Sequence, residues 1–346
     1  MAESTDFRYN TGAARVPWAA VGENYNAADL MEVIKFLMQG NGPEYEQAIE
    51  AVYEQVKKLD AISTPPGKLT TDKQVAEAEE VCNKYLGTDS STFVTNCTAG
   101  FEIAYKYAGL KEGDEVIVPA NTYIATAWGV SYTGATPVFV DCTADTWQLD
   151  PDKIEERITE RTTGIIGVHL YGQPFDYAGV KKVADKHGLF IVEDCAQATG
   201  ATFEGRNVGT LGELACFSFY PGKNLYAFGE GGSVTCDNEE YFKHMTRLKN
   251  QGCDRRYYHD EIGYNYRLEG LQGAVLSVSL KYLPQWTARR REIGERYHRE
   301  ITNPLITHQR HPVNTETVYH MFVITVPDHD DFVRYMEEHN VECNMH

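Results

Sequence analysis

From Thr92 onward, short apolar runs rich in β-branched residues alternate with segments of helical periodicity, and this rhythm narrows the fold more than any other feature of the chain. The apolar runs fall at 93–94, 116–118, 137–140, 165–170 and 189–192, with helical stretches at 99–108, 125–132, 153–158 and 177–186 between them. Continuous apolar strands separated by helices predict an α/β protein whose sheet is mainly parallel and covered on both faces. Two more strand-like runs follow at 215–220 and 232–236. After Arg267 the chain turns helical again, and it ends in a strand-helix-strand pattern at 321–326, 330–338 and 341–343. Ahead of the alternating part, helices are expected at 27–38, at 44–60 and at 75–85. In the second of these, Tyr45, Ile49, Val52, Val56 and Leu59 recur at spacings that build one apolar face. Ser63-Thr64-Pro65-Pro66-Gly67 breaks that helix, and Gly87 is placed to cap the third. The expected organisation is a helical N-terminal segment over 1–90 with an inserted helix near 44–60, a large domain over 91–255, and a smaller α+β domain over 256–346.

The charge balance removes one class of function. Lys and Arg total 32 against 50 Asp and Glu, a net charge of −18, which repels a phosphate backbone, and no local basic patch offsets it. No run approaches the ~18 apolar residues of a membrane helix. Met1-Ala2-Glu3-Ser4-Thr5-Asp6 has neither the basic start nor the apolar stretch of a signal peptide. The eight cysteines are scattered without a C-x-x-C pair, and several lie in apolar runs. They read as buried thiols of a cytoplasmic protein rather than disulfides or a metal site.

Ligands of an open α/β sheet bind beyond the carboxyl ends of its strands. Three of those ends carry chemistry here. One strand runs into Glu193-Asp194-Cys195-Ala196-Gln197, another into Ser218-Phe219-Tyr220-Pro221-Gly222-Lys223-Asn224, and a third into Thr95-Asn96-Cys97-Thr98-Ala99-Gly100 at the start of a helix. The last is an anion site in outline, because small residues at a helix start let backbone N–H groups approach a phosphate. Pro221-Gly222-Lys223-Asn224 fails the P-loop pattern, since Phe217 holds the first glycine place and Asn224 replaces Ser or Thr. No G-x-G-x-x-G follows a strand, so a dinucleotide site has no support. A carboxylate, a lysine and a phosphate cradle at the mouth of one sheet are what pyridoxal phosphate requires. Bland readings exist beside this one: Asp194 with Gln197 also fits a helix capping box, Tyr123 fits plain core, and His169 inside its apolar run fits a satisfied core histidine.

Four ordered motifs sharpen the reading. Glu193–Ala201, Phe217–Leu225, Gly229-Glu230-Gly231-Gly232 and Gly263-Tyr264-Asn265-Tyr266-Arg267 resemble the DegT/DnrJ/EryC1/StrS sugar aminotransferases, as do 168–174 and 119–123. The resemblance implies a three-layer, fold-type I PLP-transferase. It makes Lys223 the Schiff-base lysine and proton shuttle, and Asp194 the partner of the pyridinium nitrogen. It places Tyr123 against the ring face, Gln197 near the phenolic oxygen, and Thr98, Ala99 and Ser218 at the phosphate. Asn265 matches an asparagine that reaches a neighbouring subunit's phosphate, implying a homodimer with shared sites, and Arg267 matches a substrate contact. Cys97 stands where the family has Gly. The 43–74 stretch is longer than the family's link, and relatives continue beyond the position of His346, so the small domain is expected to be shortened.

The lysine separates two chemistries within the family, because related sugar dehydratases carry histidine there. Lys223 therefore implies transamination. L-glutamate would convert the cofactor to its pyridoxamine phosphate form, which then aminates a keto-sugar linked to a nucleotide, for deoxyamino-sugar or surface-polysaccharide synthesis. Ile301–Ile306 followed by His320–Ile324 looks closest to members acting at C-3 of a 3-keto-6-deoxyhexose. C-4 amination, an aminocyclitol substrate and a non-catalytic PLP-binding regulator remain as alternatives.

Overall fold

A seven-stranded sheet organises the larger part of the molecule. The structure, a computed structural model, describes residues 26–63, 73–255 and 257–346. The chain forms two compact units, Met1–Leu69 and Thr70–His346.

In the first unit, α1 (Ala27–Leu37) starts at Asn26, whose side chain accepts from the N–H groups of Ala28 and Asp29. Asp29 returns the bond to the Asn26 N–H, completing a capping box. Helix α2 (Pro43–Asp60) opens with proline in its first turn, where a missing N–H costs nothing. The two helices pack together, and the Ala27 N–H donates to the Asp60 carboxylate at 3.0 Å. The expected break at Ser63–Gly67 lies outside the described residues from Thr64 onward, as does everything before Asn26.

The second unit begins with α3 (Lys73–Leu86) and then alternates as the apolar rhythm predicts: β1 (Ser90–Val94), α4 (Cys97–Tyr107), β2 (Glu115–Pro119), α5 (Ala125–Tyr132), β3 (Thr136–Val140), β4 (Thr162–Val168), α6 (Tyr177–His187), β5 (Phe190–Asp194). A short pair, β6 (Thr202–Phe203) and β7 (Arg206–Asn207), precedes β8 (Leu214–Ser218), β9 (Gly232–Cys236) and α7 (Glu239–Lys249). The order across the sheet is β1-β9-β8-β5-β4-β2-β3. Strand β9 runs antiparallel to both neighbours, and the remaining pairs are parallel. Alternate side chains enter opposite cores, as a period of two demands. Val116, Val118, Ile166 and Val192 pack on one face, with Ile117, Ile165 and Ile191 on the other. The open edge of β1 is closed by buried Lys249 and half-buried Glu79: Phe93 N–H donates to Glu79 Oε1 at 2.7 Å, and Lys249 Nζ donates to Phe93 O at 2.8 Å.

Helix α8 (Gly270–Glu300) packs on α3. The tail then supplies β10 (Thr307–His308), β11 (Thr315–Glu316), β12 (Ile324–Thr325) and α9 (His329–Glu338). Two expectations change here and in the loop after β3. The stretch 153–158 is two 3₁₀ turns, Pro151–Lys153 and Glu155–Arg157, because so short a segment cannot offset helix nucleation. Only Ile324–Thr325 of the 321–326 run pairs, with Thr307–His308, and 341–343 is not a strand, since an apolar pattern becomes β only where a partner edge is in reach. Among the described residues, no helix is long and apolar enough to cross a membrane.

Candidate active site

An open cleft of about 1170 Å³ lies beyond the carboxyl ends of β1, β5 and β8. Thr98, Ala99, Tyr123, Asp194, Gln197, Ser218 and Lys223 all line it. Asn265 and Arg267 do not. Asn265 is exposed on a segment bridged to Asn250, and Arg267 Nη1 donates to Asn250 Oδ1 at 3.1 Å.

The acid arises from strand geometry. Asp194 ends β5 facing the cleft side of the sheet, with Oδ2 accepting from Thr126 Oγ1 at 2.7 Å and Oδ1 from the Ala196 N–H at 3.0 Å. Burial pushes its carboxyl above the usual range, opposed by those two bonds and by the positive charge of Lys223. The capping-box alternative does not hold: no helix follows Asp194, and Gln197 Oε1 accepts from the Tyr171 N–H at 2.6 Å. That bond leaves the NH₂ end of Gln197 as its uncommitted donor. Lys223 sits in the tight turn after β8, its N–H bonded to Tyr220 O at 2.8 Å. Burial lowers its ammonium from the ordinary lysine range, against the pull of Asp194. A lysine driven toward the neutral amine across a cleft from a buried carboxylate is a nucleophile beside a cation-binding acid.

The cradle is made by the start of α4. The Asn96 side chain accepts from the Ala99 N–H at 2.9 Å, and Asn96 O accepts from Gly100 N–H, which leaves the N–H groups of Cys97 and Thr98 without an acceptor among the described residues. These two donors stand at the positive end of the helix dipole beside the hydroxyls of Thr98 and Ser218. The Ala99 amide, expected at the phosphate, is committed to the cap. Gly232 makes the geometry possible: a Cβ there would lie 2.6 Å from both Asn96 C and Cys97 N. Burial pushes the Cys97 thiol well above its ordinary value, so it acts as an apolar wall. Orphan amides, a buried acid and a lysine of lowered pKa fit the three ends of pyridoxal phosphate.

Several functional neighbours escaped the sequence reading. Thr122 Oγ1 and Thr126 Oγ1 lie 2.8 Å apart, extending the Asp194 contact into a chain of hydroxyls. Their i, i+4 spacing was the available signal. Asn96 caps α4, and His320 enters the cleft from the C-terminal part of the chain. His169 is core: its Nε2 is 2.9 Å from Glu193 Oε2 and its ring stacks on Phe175 at 4.6 Å. With Cys195 it forms a buried trio of metal-ligand types, but His169 and Glu193 already satisfy one another.

The model of the DegT/DnrJ/EryC1/StrS aminotransferase family matches residues 52–346. The chain belongs to that family. It is 36% identical over 303 residues to dTDP-3-amino-3,4,6-trideoxy-alpha-D-glucose transaminase of Streptomyces venezuelae, covering 86% of this chain and 80% of the relative. It is 41% identical over 273 residues to dTDP-3-amino-3,6-dideoxy-alpha-D-galactopyranose transaminase of Aneurinibacillus thermoaerophilus, covering 79% and 75%. The solved structure of S. venezuelae DesV matches with a TM-score of 0.78 at 36% identity, covering 85% of this chain and 80% of that one. The protein is therefore an aminotransferase of fold-type I architecture, of a family that acts on sugars and uses pyridoxal phosphate.

Proposed function

We propose that the protein transfers an amino group from L-glutamate to C-3 of a nucleotide-linked 3-keto-6-deoxyhexose. The placing of Lys223 and Asp194 in one cleft with two unpaired amides at the α4 start carries the reading. When bound, pyridoxal phosphate supplies an electron sink for the carbon that loses its proton. Lys223 Nζ holds the cofactor covalently and moves the proton at the amine-bearing carbon, a role suited to an amine whose proton is held loosely by burial. Asp194 keeps a proton on the ring nitrogen. Cys97 N–H, Thr98 and Ser218 hold the phosphate, Tyr123 covers the ring face, and Gln197 donates to the phenolic oxygen. The C-3 assignment is supported by the two transaminases named above, whose products carry the amino group at C-3.

A homodimer completes the site in this reading. Asn265 is exposed and outside its own cleft, as suits a residue that reaches the partner's phosphate. Around the cleft mouth Tyr123, Tyr132 and Tyr220 expose 66%, 56% and 53% of their surface, aromatic area that a partner subunit would cover.

The test is the absorbance spectrum of the PLP-loaded protein before and after L-glutamate, without sugar. Replacement of the cofactor's visible band by that of pyridoxamine phosphate is expected, and a band that persists would reject glutamate as donor. Lys223→Ala should abolish the borohydride-fixed adduct. Because burial lowers the Lys223 ammonium, capture of PLP should quicken with rising pH and level off below 10.5, the ordinary lysine value.

A further inference from the structure

Among the cleft side chains that the chemistry above does not use is a histidine. His320 lines the cleft together with Lys223. Its Nδ1 lies 3.1 Å from Oδ1 of Asn224, the residue that follows the lysine. Asn224 is buried, and its amide nitrogen donates to Val318 O at 3.0 Å. With that nitrogen committed, the oxygen end faces the histidine, and only a protonated Nδ1 completes the bond. Nε2 therefore carries the lone pair of the neutral ring. Among the described residues it has no hydrogen-bond partner, although it is the ring's other polar atom on a side chain that forms the cleft wall.

Protonation of this second nitrogen is disfavoured as well. Burial, reinforced by the positive charges of Lys223 and Arg290, pushes the His320 imidazolium down to about 3. Near neutrality Nε2 is an acceptor and not a donor. Such a nitrogen binds hydroxyl or N–H groups and repels carbonyl and phosphate oxygens, so it sorts the faces of a ligand that carries all of these.

We propose that His320 positions the acceptor sugar, its Nε2 taking a hydrogen bond from a sugar hydroxyl, in a tautomer set by Asn224. The proposal deepens the aminotransferase reading and rests on it. It also divides the Lys223-Asn224 pair between two ligands, with the lysine serving the cofactor and the asparagine serving the substrate through His320.

The test uses full-length protein labelled with ¹⁵N-histidine and loaded with pyridoxamine phosphate, with dTDP-glucose and dTDP as probes. Histidine nitrogen NMR near neutral pH should show the Nδ1–H tautomer at His320, assigned by its absence from His320→Phe. Its Nε2 resonance should move on adding dTDP-glucose and stay in place with dTDP. His320→Phe should bind dTDP-glucose about five- to tenfold more weakly, the loss of one hydrogen bond, with dTDP affinity unaltered. His320→Gln, which returns an acceptor at similar reach, should recover most of that loss. An Nε2–H tautomer or an imidazolium at neutral pH would overturn the proposal. So would an Nε2 signal unmoved by dTDP-glucose in a protein whose other resonances respond, or equal affinity of wild type and His320→Phe. A protein that takes up no cofactor, or shows no response to either probe, rejects the parent reading instead, and the proposal falls with it.

Discussion

Glu193 and Asp194 are consecutive acids on one strand, both buried, and they do opposite things. Glu193 points behind the sheet, where its carboxylate accepts from His169 Nε2 at 2.9 Å and from the Gly209, Leu211 and Gly212 N–H groups, each at 2.8 Å. Every lone pair facing those donors is used, and the acid ties the loop before β8 to the back of β5. Asp194 points forward into the cleft with two protein donors, Thr126 and Ala196. It retains capacity for a cation that the chain itself does not supply beyond a nearby lysine. A buried carboxylate saturated by its own protein is architecture; one left short of partners at a cleft is a binding group.

Exchanging charge for amide at each position should separate the two roles. Asp194→Asn is expected to lower transamination by about 10²–10³-fold, because a fixed charge at the ring nitrogen is lost. Without cofactor the same change should leave the protein as stable or slightly more so. The Asp194 carboxyl is raised by burial, so its contribution is fully present below the ordinary carboxylate pKa and is lost as pH rises through the folded value. Urea unfolding at neutral pH checks this, and a marked drop in stability would place Asp194 with Glu193 as a structural acid.

Glu193→Gln should behave in the reverse sense. Its NH₂ group would meet N–H donors, leaving buried groups unpaired at a cost of roughly 2–4 kcal/mol in urea unfolding. The folded fraction should still take up cofactor. Loss of cofactor binding without loss of stability would break the contrast between the two acids.

A smaller effect is expected at the cradle. A methyl on Gly232 would stand 2.6 Å from the Asn96–Cys97 peptide, so Gly232→Ala should shift the α4 start and weaken PLP binding about tenfold while the sheet survives. Titration of the cofactor band measures it. Smallest of all, Thr126→Val removes one hydrogen bond to Asp194 and should cost about 1 kcal/mol, seen as a few-fold slower glutamate half-reaction.

Much of this was legible in the chain. The strands of the sheet and the helices α4, α5 and α6 follow from the switch between apolar runs and helical spacing, because the central strands β2, β4, β5 and β8 are buried on both faces and read as continuous apolar runs. Lys223 and Asp194 stood out because their motifs lie at strand ends, where backbone topology alone delivers side chains to the cleft. The 3₁₀ turns after Asp150 were misjudged because apolar spacing over six residues does not distinguish a helix from a pair of turns. The tail strands were misjudged because a strand needs an edge, and no local signal says where one is free.

Composition and periodicity determined the α/β class, and motif order the family and the expected place of its lysine, since these depend on residues close in sequence or at strand termini. Tertiary structure alone decided what saturates Glu193 while leaving Asp194 short of partners, which amides at the α4 start remain free, and that His320 comes to face Lys223 across 97 positions of chain. Those outcomes depend on which donors fold back onto a group from far away, and hydrogen-bond saturation is a property of the packed molecule that no local stretch of sequence contains.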